Sequence, residues 1–290
     1  MQASVVGASG AAAPAGRRWT PPTGVLGGLV AEARARAERL RARAAELRDA
    51  AAGAPVAPSL AAALLTREVA VIAEVKRRSP SKGEIAPGLS AAEQGAAYAR
   101  GGAAALSILT EPAHFGGAAS DLPAARSAVA LPLLRKDFHV DPLQLVEARA
   151  LGASAALLIA RAVAPGELRD LCGVASGLGL EVLVEVRDER ELEDALATGA
   201  LLIGVNNRDL ETLVIDADTA VRLLPGVPDS HVAIAESGIR ARADVERYAA
   251  AGADAVLVGS SISASASPAD AVRALTGVIR TGRRTAAPPR

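Results

Sequence analysis

Four apolar stretches of this 290-residue chain each run into a charged side chain. They are Val69-Ala-Val-Ile-Ala-Glu-Val-Lys76, Leu131-Pro-Leu-Leu-Arg-Lys136, Leu180-Glu-Val-Leu-Val-Glu185 and Val232-Ala-Ile-Ala-Glu236. Short runs rich in Val, Ile and Leu read as strands buried on both faces. A Lys or Glu at the end of such a strand is costly unless it is paired or used. Glu74 stands two residues before Lys76, on the same strand face, and adds a third carboxylate beneath the lysine. These five charges could be ion pairs that close the end of a sheet. Burying them without a functional return would cost several kcal/mol per ion, which favours one shared site.

Other polar groups fall at comparable places. Asn206-Asn-Arg208 follows a further apolar run and suits hydrogen bonding to a hydroxylated substrate, although an asparagine there could also form a turn. Ser237-Gly238 and Gly259-Ser260-Ser261 follow two more runs. Glycines let the backbone approach closely, and their N–H groups can cradle a phosphate. Lys76-Arg-Arg-Ser-Pro-Ser-Lys-Gly83 is a basic, Ser-rich loop directly behind Lys76. It reads as a phosphate or carboxylate contact, with Ser79 best placed, or as a solvated turn.

The elements that must hold these groups form a repeat. Gly101-Gly-Ala-Ala-Ala-Leu-Ser-Ile-Leu, Leu151-Gly-Ala-Ser-Ala-Ala-Leu-Leu-Ile, Thr198-Gly-Ala-Leu-Leu-Ile-Gly-Val and Ala251-Gly-Ala-Asp-Ala-Val-Leu-Val share one pattern. A helical run ends, a glycine (Gly102, Gly152, Gly199, Gly252) takes the left-handed stop, and an apolar strand begins. Interleaved with the four charged strands, these give eight strands with helical patterns between them, at residues 91–100, 142–150, 165–178, 189–197 and 242–250. Eight βα units predict a closed α/β (β/α)8 TIM barrel. A doubly wound open sheet is the alternative, disfavoured because no Gly-x-Gly-x-x-Gly turn follows the first strand. In such a barrel Lys76, Lys136, Glu185 and Glu236 sit at the ends of strands one, three, five and seven. Alternate strands share a layer, so these groups converge at the mouth.

The N-terminal region reads differently. Residues 1–22 are Ala, Gly, Ser and Pro-rich and are expected to be a disordered tail, and 281–290 a C-terminal tail. Residues 29–47, dense in Ala, Arg and Glu, predict an amphipathic helix. The barrel with N-terminal helices is expected over 23–280, the helices occupying about 23–66.

Composition bounds the function. Lys+Arg and Asp+Glu both number 32, so nothing favours a nucleic-acid backbone or an anionic membrane as partner. Half of the residues are hydrophobic but only 2% aromatic, so the core is built from Ala, Val, Leu and Ile. The single Cys172 excludes an internal disulfide, and no pattern suggests a metal. Arg17-Arg18 before Gly24-Val-Leu-Gly-Gly-Leu-Val30 superficially resembles a twin-arginine signal. Glu32 and Arg34 interrupt the apolar part and no cleavage-like segment follows, so the expectation is a cytoplasmic enzyme without a signal peptide.

Several of these segments together resemble one family. Ile72-Ala-Glu-Val-Lys-Arg-Arg-Ser-Pro-Ser-Lys-Gly83, Leu-Arg-Lys-Asp-Phe around Lys136, Leu-Val-Glu-Val around Glu185, Ile-Gly-Val-Asn-Asn-Arg ending at Arg208 and Ala-Glu-Ser-Gly-Ile around Glu236 look like indole-3-glycerol phosphate synthases. Ser107-Ile-Leu-Thr-Glu111 with Phe115-Gly-Gly117 also fits, and the resemblance spans about residues 25–278. It implies ring closure of 1-(2-carboxyphenylamino)-1-deoxyribulose 5-phosphate with loss of CO2 and water, in tryptophan biosynthesis, without a cofactor. It also implies a small phosphorylated substrate and a monomer or weak homo-oligomer. By the same resemblance Lys136 donates a proton at the forming oxyanion and Glu185 is the base of dehydration. Lys76 is its acid and also holds the anthranilate carboxylate. Glu74 and Glu236 support the lysines and the substrate hydroxyls, and Asn206 positions the ring system. Ser79, Ser237, Gly238, Gly259 and Ser260 match the phosphate-binding turns, Arg208 a substrate-side position, and Phe138 and Leu109 an apolar aryl pocket. The helical extension would cover the barrel mouth.

Departures from the family pattern are Leu143 for Tyr, Arg187 for His, Leu60 for Phe, Ser261, and Gly27-Gly28, which should weaken the first extension helix. His139 is expected on the polar rim, His114 and His231 at a turn and a strand start, Cys172 in the core, and Trp19 exposed or against the lid. The rivals are another phosphate-binding barrel, such as a phosphoribosylanthranilate isomerase, and a non-catalytic ligand-binding barrel. The isomerase needs a Cys/Asp pair, and Cys172 lies mid-helix; the binding-only reading predicts lost mouth charges.

Overall fold

A computed structural model describes residues 19–281. Eight parallel strands close into a barrel: β1 Ala70–Val75, β2 Ala105–Leu109, β3 Leu133–Lys136, β4 Ala155–Ile159, β5 Glu181–Val186, β6 Leu202–Asn206, β7 Val232–Glu236 and β8 Ala255–Val258. Each strand pairs with its sequence neighbours, and β1 closes on β8 through Ala70–Ala255 and Val71–Val256. Three helices precede β1: α1 Gly24–Leu40, α2 Ala44–Gly53 and α3 Leu60–Leu64. Between β1 and β4 lie α4 Ala91–Gly101, α5 Pro112–Phe115, α6 Asp121–Ala128 and α7 Pro142–Ala150. Then come α8 Pro165–Gly177, α9 Glu189–Leu196, α10 Asp218–Leu223, α11 Arg242–Ala250, α12 Ser260–Ser263 and α13 Pro268–Arg273. No helix among the described residues is long and apolar enough to cross a membrane.

The predicted punctuation operates as expected. Gly102, Gly152, Gly199 and Gly252 all have φ between 78° and 99°, just before β2, β4, β6 and β8. At the other end of α7, Asp141 accepts from Leu143 N while the Gln144 side chain returns to Asp141 N, and Pro142 presets the first turn. Every residue of β1, β2, β4, β6, β7 and β8 is buried, the two-sided burial that continuous apolar runs require.

The N-terminal region departs from expectation in three ways. The single helix expected over 29–47 is two helices, α1 and α2, separated by one 3-10 turn at Arg41–Arg43. Helix α1 begins five residues before the amphipathic stretch read at 29–47, though close to the start near 23 expected for the helical region as a whole, and runs through Gly27-Gly28. Gly27 packs on the Pro22 carbonyl, where a Cβ would come within 2.7 Å, so this glycine permits the close approach that starts the helix. Residues 19–22, expected in the disordered tail, are docked: the Thr20 carbonyl accepts from Arg161 Nη1 at 2.7 Å, and Trp19 is half-buried. Residues 1–18, with the Arg17-Arg18 pair, and 282–290 lie outside the described residues.

Helix α1 buries Leu26, Leu29, Val30, Ala33 and Ala37 against the barrel. Leu47 and Ala51 of α2 join Leu143 and Val146 of α7 in a separate small cluster, so Leu143 is a packing residue. Leu60 of α3 is fully buried. Behind Lys76 the basic loop folds into a short hairpin, Arg78–Ser79 against Gly83–Glu84. Arg77 fastens it to α6 through both carboxylate oxygens of Asp121, at 2.5 and 2.8 Å.

Candidate active site

A cavity of about 620 Å3 opens at the C-terminal ends of the strands, and all fourteen candidate residues line it. At its floor the charges form two linked groups. Lys136 Nζ lies 3.0 Å from Glu185 Oε2 and 3.4 Å from Glu236 Oε2. Lys76 Nζ lies 2.5 Å from Glu74 Oε1. Asn206 Nδ2 donates to the other Glu185 oxygen at 2.7 Å, while its own Oδ1 accepts from Arg208 N at 2.9 Å. Glu185 is thus held from both sides, by an ammonium and by an amide locked to the backbone.

All three carboxylates are at most 2% exposed, whereas the two lysine side chains keep about 15% of their surface toward the cavity. Burial alone would lower the Lys136 pKa, but Glu185, Glu236 and Glu74 outweigh it and hold it above the ordinary lysine value. This group is an ammonium at neutral pH. Burial, reinforced by Glu185 and Glu74 and opposed by Lys136, pushes the Glu236 carboxyl up to about 8.

Two glycines make room for the buried carboxylates. A Cβ on Gly204 of β6 would overlap Glu236 Oε1, and a Cβ on Gly259 would overlap Glu74 Oε1. Gly204 lies on the sheet next to Glu185 on one side and Ile234 on the other, so any side chain there would enter the charged layer. Glu236 Oε1 has no hydrogen-bond partner within the described protein; the missing Cβ leaves it seated against bare backbone.

One end of the cavity is lined by turns. Ser237 and Gly238 both adopt positive φ, +68° and +83°, after β7. For Ser237 that conformation is strained, and it occurs where the backbone turns past the cavity. Gly259 and Ser260 begin α12 after β8, and Ser261 Oγ donates to the Ile239 carbonyl at 3.0 Å, tying the two turns together. Ser79 Oγ is buried without a partner and belongs to the same lining. Lys82 and Arg240 add cationic groups that sequence reading did not single out. Arg208 lines the cavity as well, with Nη1 donating to the Leu213 carbonyl at 2.8 Å.

The apolar side holds Leu109 and Phe138, with Phe115 at a ring-centroid distance of 6.2 Å from Phe138. Leu29 of α1 also lines it, so the N-terminal helix contributes to the cavity wall. Leu210, Leu213 and Ile215, from the loop after β6, complete it. None of these three loop residues was singled out from sequence, because no periodic signal marks a loop residue that turns inward.

His139 is not on the rim. It is 2% exposed, with Nδ1 at 2.8 Å from the Leu157 carbonyl. Burial, then the Arg135 charge, pushes it down to about 4, so it is neutral and its Nδ1–H donates to that carbonyl. Beneath Lys136 runs a charge network that sequence reading also missed. Arg36 of α1 reaches Asp137 Oδ1 at 2.7 Å and Glu111 Oε1 at 3.3 Å, and Thr110 Oγ1 donates to Asp137 at 2.7 Å. Its partners lie 75 and 101 positions away, beyond any local pattern.

His114 lies on α5 and meets Glu32 of α1 at 3.0 Å. Glu32, Glu111 and His114 bring ligand-type atoms within 4.8 Å of one another, outside the cavity lining. Glu111 already accepts from Ala113 N, His114 N, Phe115 N and Arg36, which commits its oxygens to capping α5 and to the network.

The chain is similar to known proteins. Residues 26–275 match the sequence profile described as indole-3-glycerol phosphate synthase. The chain is 48% identical over 257 residues to indole-3-glycerol phosphate synthase 2 of Streptomyces coelicolor, covering 88% of this chain and all of that protein. It is 55% identical over 208 residues to the indole-3-glycerol phosphate synthase of a Nocardioides species, covering 72% and 80%. Among solved structures, the thiamine phosphate pyrophosphorylase of Pyrococcus furiosus superposes with a TM-score of 0.54 at 16% identity, over 73% of this chain and 95% of that one. That last likeness concerns the barrel alone.

Proposed function

The chain belongs to the indole-3-glycerol phosphate synthase family, carboxy-lyases of tryptophan biosynthesis, and from that premise we propose how its residues divide the reaction. The substrate is 1-(2-carboxyphenylamino)-1-deoxyribulose 5-phosphate. Its phosphate is held at Ser79, Ser237, Gly238, Gly259 and Ser260, and its aryl ring lies between Leu109 and Phe138. This orientation places the ribulose chain over the charged floor.

Ring closure joins the aromatic carbon to the C2 carbonyl carbon. The carbonyl π electrons move onto oxygen, and Lys136 donates the proton that neutralises it. The carbon–carboxylate bond then breaks, CO2 leaves, and its electron pair restores aromaticity. Dehydration requires a base to take a proton and an acid to protonate the departing hydroxyl. Glu185, oriented by Asn206, is the base, and Lys76, held by Glu74, is the acid. Glu185 keeps Lys136 placed and charged, and Glu236 reinforces it once ionised.

The observation that carries this reading is Lys136. It is an ammonium bracketed by two buried carboxyl groups at 3.0 and 3.4 Å, between a polar turn region and an apolar pocket in one cavity. The substrate is a charged phosphate ester that does not cross membranes unaided, which supports a cytoplasmic site of action. Cys172 lies on α8 and does not line the cavity, so a Cys/Asp acid–base pair has no counterpart here. The test is indole fluorescence after adding this substrate to purified protein; no signal from the wild type would sink the assignment.

A further inference from the structure

The loop after β6, residues 208–215, keeps its own shape. Asp209 N donates to the Val214 carbonyl at 2.8 Å and Leu213 N to the Asp209 carbonyl at 2.7 Å. Asp209 Oδ1 accepts from Glu211 N and Thr212 N, and Leu213 is held at φ +64°. One face of this compact loop turns Leu210, Leu213 and Ile215 into the cavity.

Away from the cavity the loop is held mainly at Glu211, beside a longer Arg187–Asp209 ion pair at 3.8 Å. Glu211 Oε1 accepts from Thr23 N at 2.6 Å, from Thr23 Oγ1 at 3.2 Å and from Arg161 Nη2 at 3.0 Å. The Glu211 carbonyl accepts from Val25 N at 3.2 Å. Gly24, at φ +57°, is pressed so close that a Cβ would lie 2.5 Å from that same carbonyl oxygen. Arg161, from the turn after β4, also grips the Thr20 carbonyl. Three segments distant in sequence therefore meet at Glu211: the start of α1, the turn after β4, and the loop that walls the cavity.

We propose that Glu211 is a positioning residue for the reaction: its carboxylate latches the start of α1 and the β4 turn onto the 208–215 loop, and so holds that loop's apolar side chains over the aryl end of the substrate. This rests on the reading of the cavity given above. The Arg161 and Glu211 side chains are 27% and 28% exposed, so as a surface ion pair they add little to global stability. Their effect is on where the loop sits. A lid of this kind acts on substrate capture and release, so it registers in KM before kcat.

The experiment uses the full chain with Glu211→Ala, Glu211→Gln and Gly24→Ala. Glu211→Ala raises KM about tenfold with kcat within about threefold, and the melting midpoint moves little. Glu211→Gln keeps an acceptor for Thr23 N but not the charge facing Arg161, and falls between. Gly24→Ala breaks the same contact from the other side and raises KM similarly, while the double variant is no worse than Glu211→Ala alone. Amide exchange in residues 20–25 and 208–215 accelerates together in each variant. KM within twofold of wild type in both Glu211→Ala and Gly24→Ala would overturn the latch, as would faster exchange in only one segment. Absence of wild-type turnover counts against the proposed reaction instead, and the exchange measurement then decides the latch by itself.

Discussion

Gly204→Ala tests the charged layer without removing a charge from it. Gly204 has ordinary extended backbone in β6, so alanine adds no conformational strain and the perturbation is one methyl group. That methyl would overlap Glu236 Oε1, and Leu183 Cδ1 at 3.2 Å blocks relaxation on the other side. The carboxylate must give way by roughly 1 Å in a close-packed interior. Its other oxygen lies 3.4 Å from Lys136 Nζ. At an effective dielectric of about 20, attraction between Lys136 and an ionised Glu236 at that distance is about 5 kcal/mol, and lengthening by 1 Å removes about 1 kcal/mol. If Lys136 must be held in place while it delivers its proton, kcat falls by about fivefold to tenfold, with KM changed less than twofold. Glu236→Gln, which removes the charge itself, loses more. Continuous indole fluorescence at saturating substrate reads both, at about pH 9, above the Glu236 pKa of about 8, where that carboxyl is ionised. A Gly204→Ala enzyme with kcat within twofold of wild type would refute the idea that the seat of Glu236 matters to the proton donor.

Lys136→Met removes the proposed proton donor and lowers kcat by about 10²- to 10⁴-fold while a bound product analogue still protects the fold against heat; a kcat within tenfold of wild type would remove Lys136 from the mechanism. Arg36→Met leaves Glu111 and Asp137, whose side chains are 0% and 3% exposed, without their shared cation. Unfolding free energy by urea titration falls by about 3 kcal/mol, and a loss under 1 kcal/mol would show that Arg135, 3.7 Å from Asp137, already suffices. His139 has a folded pKa of about 4, below its unfolded value near 6.5, so the unfolded chain binds the extra proton between those values. Its contribution to stability is present above pH 6.5 and is lost as pH falls toward 4. His139→Asn therefore reduces the stability difference between pH 7 and pH 4.5 by about 2 kcal/mol in urea melts, and an unchanged difference would assign the acid sensitivity to the carboxylates.

What could be read in the sequence follows the range of the signal. Gly102, Gly152, Gly199 and Gly252 stop helices by a local backbone requirement, so the even strands were legible one by one. Lys76, Lys136, Glu185 and Glu236 were legible for an energetic reason: a charge at the end of a two-sided apolar strand has few tolerable explanations. The barrel then converted their strand positions into proximity. The start of α1 was not legible, because glycine at 24 and 27 lowers helix propensity while the packing that requires it, on Glu211 and Pro22, is tertiary. His139 was misplaced for a related reason. Its neighbours Asp137, Val140 and Asp141 suggest a solvated loop, yet the chain after β3 turns inward, and the imidazole is held by a carbonyl on β4.

The glycines of the charged layer join these two kinds of information. Gly204 and Gly259 sit in motifs that sequence reading used for the strand ending at Asn206 and for the phosphate turn. Their other role is visible only from across the barrel, where each leaves a carboxylate the volume of a missing Cβ. A buried Glu236 with a pKa raised to about 8 stands near the limit of what the layer tolerates. Lys136 stabilises its charged form, and Glu185 and Glu74 oppose it. Moving Glu236 away from the ammonium removes the stabilising partner while the repelling carboxylates remain, which favours protonation of Glu236 and a less strongly held Lys136. The same glycine that clears space thus sets a proton equilibrium. In Gly204→Ala the acid limb of the kcat profile, where activity rises as Glu236 ionises, shifts to higher pH if Glu236 must be ionised for turnover, and an unmoved profile with a lowered plateau would assign the loss to geometry alone.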